Sequence, residues 1–313
     1  MVAVPVRNMG KTLNFKKLLV VVAWLCALPW AAASSAADSA YPALRQSADP
    51  ELQAQLVKGL DRLGLSNAVR DGQLSVALVD VTDPEHPRLS EVNGDKMMYA
   101  ASLPKIAILL AAFQRIHDGS MTLDDPTRKT LVDMIRYSNN HAATAMIRRV
   151  GKPYINQVLT SPRYHLYDPA HNGGLWVGKE YGASGVWRRD PLHHLSHGAT
   201  AMQVARYYYL LDTGRLVSPK ASREMLSIMS KPGIHHKFVG GLLARYPDAE
   251  IYRKSGTWRD FHADSALVEH KGRRYIAVGL AHNSHGGQWL KKLIVVMDNI
   301  IERTPRARYA SLQ

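Results

Sequence analysis

The chain has 313 residues, a formal charge of +14 and an ordinary apolar fraction of 46%, enough for one large globular unit and too apolar for a disordered chain. Its one cysteine, Cys26, lies in the first forty residues, so a mature form lacking them has no disulfide, no thiol chemistry and no cysteine-held metal. The basic charges are scattered, which gives no nucleic-acid footprint and fits anionic polymers or carboxylate substrates at least as well.

In chain order, residues 1–37 read as an export signal. Lys11, Lys16 and Lys17 form a basic start, Leu18 to Leu28 an apolar run too short to cross a bilayer comfortably, and Ala31 to Ala37 a cleavage region rich in small residues. Removal takes away the four basic residues Arg7, Lys11, Lys16 and Lys17 and leaves a charge of +10. A periplasmic or secreted chain, residues 38–313, follows, with no stable membrane insertion after cleavage and a monomer expected.

Asp49-Pro50 forms an N-cap with proline at the first helical position, and Leu52, Leu56, Leu60 and Leu63 then recur at helical spacing. Leu74 to Val81 reads as a strand, and a second lies between Leu89 and Met98 with Asn93-Gly94 turning within it. From about Pro104 to Arg245 there are helical signals and loops without a convincing strand. Ile106 to Phe113 is apolar on all sides, the mark of a buried helix, and Leu131 to Val150, Thr200 to Leu211 and Pro219 to Met229 are the other expected helices. Tyr252 to Gly256, Ala263 to Glu269 and Tyr275 to Ala281 read as three strands, with Lys271-Gly272 turning between the last two. A closing helix after Gly286-Gly287 carries Leu290, Leu293, Ile294, Met297, Ile300 and Ile301 on its apolar face. The fold class is α+β: an antiparallel sheet flanked by terminal helices (about 38–104 and 246–313) with an all-helical insertion (about 105–245), and a cleft expected at the seam.

Ser102-Leu103-Pro104-Lys105 places a hydroxyl and an amine three residues apart at a helix start, on one face and within mutual reach. A lysine beside a buried apolar helix loses charge to desolvation and becomes a base for the serine. No other Ser-x-x-Lys occurs in the chain. Ser138-Asn139-Asn140 and Lys254-Ser255-Gly256-Thr257 follow; each taken singly is an ordinary polar turn or a strand with a glycine bend. Together and in this order, with Gly198-Ala199-Thr200-Ala201-Met202 opening a later helix, the chain resembles the class A β-lactamases and their penicillin-binding relatives, whose motif set is Ser-x-x-Lys, Ser-Asp-Asn and Lys-Thr-Gly.

That resemblance implies a serine hydrolase with no cofactor and no metal. Ser102 would form an acyl-enzyme, Lys105 would be its proton acceptor, and Ser138 would relay a proton to the leaving nitrogen. Asn140 would bind the substrate's side-chain amide, Lys254 would supply positive charge, and Ser255 and Thr257 would contact the substrate, with the backbone N–H groups of Ser102 and Thr257 as oxyanion hole. The implied substrate is a β-lactam; the alternatives are a D-alanyl-D-alanine peptidase of peptidoglycan stem peptides and a slow penicillin-binding protein. Two departures matter. Asn139 replaces the usual aspartate, and no Glu-x-x-Leu-Asn is present to position a deacylating water. Glu180 is the only glutamate between Asp125 and Glu224 and is the candidate for that role, with Asp168 and Asp190 as substitutes. Arg253, Arg259, Arg273 and Arg274 are candidates for a carboxylate-binding arginine. His193-His194-x-x-His197 lacks the helical His-Glu-x-x-His spacing and an adjacent acid, and is read as a loop cluster without metal.

Overall fold

The computed structural model describes residues 41–182 and 185–304; the expected export signal lies outside them. Helix α1 (Pro50–Arg62) starts where Asp49 caps it, its carboxylate accepting the Leu52 N–H at 2.8 Å. A short α2 (Ser66–Arg70) leads into β1 (Leu74–Asp80) and β2 (Arg88–Val92), and the chain's end supplies β8 (Glu250–Trp258), β9 (Phe261–His270), β10 (Arg273–His282) and the closing α10 (Gly286–Arg303). These five strands form one antiparallel sheet in the order β2-β1-β10-β9-β8. Lys271 and Gly272 turn β9 into β10 with φ of 47° and 68°, both left-handed, as a two-residue hairpin whose twist matches its strands requires.

The sheet is buried on both faces, and strand alternation sorts its residues between two cores. Val76 and Leu78 of β1 and Tyr275 and Ala277 of β10 pack with Leu52, Leu56 and Leu60 of α1 and Leu290, Leu293, Ile294 and Met297 of α10. Ala77, Val79, Ile276 and Val278 face the other way, into the core of the helical half. This explains why β1 reads as a continuous apolar run although the sheet is antiparallel.

In the helical half, α3 (Lys105–His117) is central, with Ile106 to Phe113 wholly buried. Around it pack α4 (Asp125–Arg136), α5 (Asn140–Val150), α6 (Lys152–Thr160) and α8 (Pro219–Met229), while α7 (Ala201–Asp212) lies on β1 and β10. Burial of each Leu, Ile or Phe of α3 contributes roughly 1.5–3 kcal/mol, so this helix is the fixed frame on which its first residue, Lys105, is mounted.

The structure differs from the sequence expectation in three places. The helical stretch from Leu131 to Val150 is two helices, broken at Tyr137-Ser138-Asn139: Ser138 has φ of 55°, and Asn139 caps α5 by accepting the Ala142 N–H at 2.9 Å. Asparagine offers the backbone a side-chain acceptor in place of helix continuation. The insertion is not strand-free. The short β3 (Met98–Tyr99), β6 (Trp176–Val177) and β7 (His197–Ala199) form a three-stranded sheet, and β4 (Tyr167–Asp168) pairs with β5 (Gly173–Gly174); runs of two or three residues are too short to show a period of two. Helices α2, α6 and α9 (Phe238–Leu242) are also absent from the sequence reading, because α2 is a single short turn, proline follows the first residue of α6 and two glycines occupy α9.

Candidate active site

The Ser102 turn joins β3 to α3. It is pinned to β7 by the Ala100 N–H on the His197 carbonyl (3.1 Å) and closed by the Leu103 N–H on the Ala100 carbonyl (3.0 Å). Ala101, immediately before the serine, has φ of 49°, a conformation that costs an alanine roughly 1–2 kcal/mol. A sharp turn of this kind lifts the following residue out of regular pairing.

Lys105 follows one turn later and is wholly buried. Its Nζ donates to the Ser138 carbonyl (2.6 Å) and Asn140 Oδ1 (2.8 Å) and lies 3.3 Å from Ser138 Oγ. Burial pulls its pKa down to about 7. A neutral amine has two N–H donors and one lone pair. With both donors on Ser138 O and Asn140 Oδ1, the lone pair of the neutral form would face Ser138 Oγ.

Lys254, in β8, approaches the same serine from the other side. Its Nζ donates to Ser138 Oγ (2.9 Å) and to the Ser255 carbonyl (2.7 Å). Burial first, and then the neighbouring Lys105 and Arg253, hold its pKa well below the usual lysine value, against the pull of Asp264. The left-handed Ser138 is therefore shared by two lysines, one on each half of the molecule.

Gly256 sets how close the two halves come. A Cβ at this position would lie 2.2 Å from the Ala100 carbonyl oxygen, 2.8 Å from the Ser102 nitrogen and 2.9 Å from the Leu103 nitrogen, so only glycine lets β8 rest against the Ser102 turn. Because β8 is the outermost of the five strands, alternate N–H groups beyond Gly256 point away from β9.

A third amine belongs to this strand. Lys237, at φ of 51° just before α9, is buried and donates to the Gly256 carbonyl (2.6 Å), Thr257 Oγ1 (2.7 Å) and the Ala263 carbonyl (3.1 Å). Burial pushes its pKa down to about 8, opposed by Asp264. The loop that carries it is clamped by the buried pair Arg253–Asp264: both carboxylate oxygens of Asp264 accept from Arg253 at 2.7 Å, the Phe238 N–H adds a bond at 3.1 Å, and Arg253 also donates to the Ile234 carbonyl at 2.8 Å.

The four arginines considered from sequence are placed otherwise. Arg253 is held in that clamp, Arg274 pairs with Asp212 and Glu269, Arg273 donates to the Thr304 carbonyl, and Arg259 stacks on Trp258 at 5.7 Å. The cation at Thr257 is Lys237, which the sequence reading missed. Within His235-His236-Lys237-Phe238 nothing distinguishes it from a surface lysine.

The structure brings Ser138, Asn140, Lys105 and Lys254 together and sets the Ser102 turn against Gly256. Glu180 it directs elsewhere. Its carboxylate bonds Arg148 and Lys152, each at 2.8 Å, with a side chain only 5% exposed, and those partners hold its pKa down to about 2. Among the described residues no hydrogen bond joins Glu180 to Ser102, Lys105 or Ser138. The neighbouring Tyr181 enters the site instead: Lys105 Nζ stands 4.4 Å from its ring centroid, its hydroxyl donates to the Ala101 carbonyl at 3.3 Å, and its ring lies 4.3 Å from that of His197. Asp190 accepts from the Tyr167 hydroxyl and the Leu192 and His193 N–H groups, and Asp168 bonds His171 and the Ala170 N–H; both organise loops. In the histidine cluster, His193 bonds Asn172 while buried His197, its pKa pushed down to about 4 by burial, bonds the Lys179 carbonyl at 3.0 Å. Among the described residues no group of three or more potential ligands is placed to hold a metal.

Comparison with known proteins bears on the family and the fold. The profile of the family described as "Beta-lactamase enzyme family" matches residues 55–130 and 126–297. No curated protein matches the sequence. Among solved structures, a protein named PBP-A superposes with a TM-score of 0.61 at 19% identity, over 82% of this chain and 97% of its own. A β-lactamase from Sphaerobacter thermophilus gives 0.61 at 17%, over 77% and 95%. A variant of the class A β-lactamase reconstructed for the last common ancestor of Gram-negative bacteria gives 0.59 at 19%, over 80% and 98%.

Proposed function

The chain belongs to the β-lactamase enzyme family, and from that premise we propose that it opens β-lactams through an acyl-enzyme on Ser102, with hydrolysis of that intermediate as the slow step. The observation that carries this reading is the burial of Lys105, one helical turn from Ser102 and bonded to Ser138 and Asn140, which lowers its pKa to about 7 and makes its neutral form accessible. Ser102 Oγ attacks the amide carbonyl as its proton passes to Lys105. The carbonyl oxygen, now negative, takes the N–H groups of Ser102 and Thr257. As the C–N bond breaks, Ser138 Oγ donates its proton to the leaving nitrogen and is reprotonated from the lysines it touches. Thr257 Oγ1, which accepts from Lys237, receives the substrate carboxylate by donating its own proton, with the Lys237 charge behind it and Ser255 beside it. Asn140, already bonded to Lys105, holds the substrate's amide.

The second half-reaction needs a base for water. Glu180 is bound to Arg148 and Lys152, and Tyr181 presents an aromatic face to Lys105, which supports a persistent adduct. The same feature favours, as a second reading, an exported D-alanyl-D-alanine peptidase. Likeness to PBP-A, a mutant of which is described as an acyl-enzyme complex with penicillin G, points in the same direction.

Intact-protein mass after mixing with benzylpenicillin separates these readings. The wild type is expected to gain one penicilloyl group that persists, Ser102→Ala to gain none, and Glu180→Gln to lose the adduct at the wild-type rate. Labelling of Ser102→Ala as fast as wild type would overturn the nucleophile assignment, and an adduct prolonged in Glu180→Gln would restore Glu180 as the deacylating base. Release of D-alanine from a peptide ending in D-alanyl-D-alanine identifies the peptidase.

A further inference from the structure

A second pocket, of about 500 Å³, shares no lining residue with the Ser102 site. It lies between the start of the described chain, the 163–171 loop and the C-terminal half of α7, and four arginines line it: Arg45, Arg163, Arg206 and Arg215. Arg45 is neutralised by a two-pronged bond to Asp95 (2.7 and 2.8 Å). Arg215 is held between the rings of Tyr41 and Tyr209, at 5.2 and 5.1 Å, with Nε on Thr213 Oγ1. The other two differ. Arg206 donates to the Tyr164 and His165 carbonyls and to Gln203 Oε1, and Arg163 to the Val217 carbonyl. Bonds to neutral acceptors orient a guanidinium without cancelling its charge, so Arg163 and Arg206 bring two charges to the pocket. Asp168 is the one carboxylate lining it, and that carboxylate is engaged by His171 and the Ala170 N–H. The cost of crowding these cations is visible at Arg206: burial, then Arg45, lower its pKa, opposed by Asp168 and Asp95.

From this cluster we infer that the pocket binds a phosphate monoester. Two guanidiniums held by neutral acceptors match its two negative charges, and their planar forks match the tetrahedral oxygens with paired hydrogen bonds. The volume exceeds what phosphate alone fills, so Tyr41, Leu44, Tyr209 and Leu210 receive the organic part of the ester. The ester comes from a soluble sugar or glycerol phosphate, or from the headgroup of an anionic lipid, which carry the same phosphate chemistry.

The test titrates the full mature chain with glycerol 3-phosphate by calorimetry and sediments it with phosphatidic acid–phosphatidylcholine vesicles against pure phosphatidylcholine. Arg163→Ala and Arg206→Gln are each compared with wild type, with β-lactam acylation as the control for folding. Saturable binding weakened at least tenfold in both variants, at unchanged acylation, is the expected result. Binding of glycerol 3-phosphate identifies a soluble ester, and pocket-dependent sedimentation alone identifies the lipid headgroup. Binding of neither probe, or equal binding by wild type and both variants, overturns the inference. Because acylation is read separately, its failure and that of the Ser102 reading are distinguishable.

Discussion

Replacing Gly256 by alanine inserts one methyl group between β8 and the Ser102 turn. The new carbon would sit 2.2 Å from the Ala100 oxygen, where a carbon–oxygen contact needs about 3.3 Å, so strand and turn must separate by roughly 1 Å. All three close atoms are backbone, and no side chain can rotate away to absorb the change. The two N–H groups proposed as oxyanion donors, that of Ser102 on the turn and the one after Gly256 on the strand, would then be moved apart. Loss of one such donor lowers kcat about 10²–10³-fold, equivalent to about 3–4 kcal/mol, and a displacement of 1 Å is sufficient for a loss of that size. The assay is stopped-flow acylation by a chromogenic cephalosporin, with circular dichroism to verify that the sheet is retained. Acylation by Gly256→Ala within threefold of wild type, in a folded protein, would refute the proposal that contact of β8 with the Ser102 turn builds the site.

Other tests follow from the same geometry. Lys105 must be neutral to accept the serine proton and its pKa is lowered to about 7 by burial. The acylation rate constant should therefore rise about tenfold per pH unit below pH 6 and level off above about pH 8; a profile flat from pH 5 to 9 would exclude Lys105 as the base. Lys237→Met removes the charge behind Thr257 Oγ1 and should weaken acylation by a carboxylate-bearing β-lactam about tenfold to hundredfold, the size of one charge-assisted bond from Thr257 to the carboxylate, with a smaller loss for its methyl ester. Equal losses for both substrates would make Lys237 structural only. Asp264→Ala strands Arg253, whose side chain is 2% exposed, without a counter-charge. That should cost about 3–5 kcal/mol and lower Tm by roughly 6–20 °C; a shift under 2 °C in scanning calorimetry would show that the clamp contributes little.

Much of this protein was legible in its sequence, because the information is local. Apolar spacing gave α1, α3 and α10, and alternation with turn residues gave the five strands, since period and capping depend on neighbours within a few positions. Ser102 and Lys105 are one helical turn apart, so their pairing could be read directly. The polar Ser138-Asn139-Asn140 reads as a turn or helix edge, but the apolar spacing from Leu131 to Val150 does not fix that it splits the stretch into two helices, which the left-handed backbone at Ser138 decides. Which charge does what was decided by tertiary contacts. Lys237 reaches Thr257 from twenty positions away only because Arg253 and Asp264 fold its loop onto β8. Glu180 is drawn to Arg148 and Lys152 across more than twenty-five residues, leaving Tyr181 against Lys105. Sequence spacing specifies which residues share a helix face or strand. The partner of a buried charge depends on which distant segments exclude water around it, and that is fixed only when the two halves close.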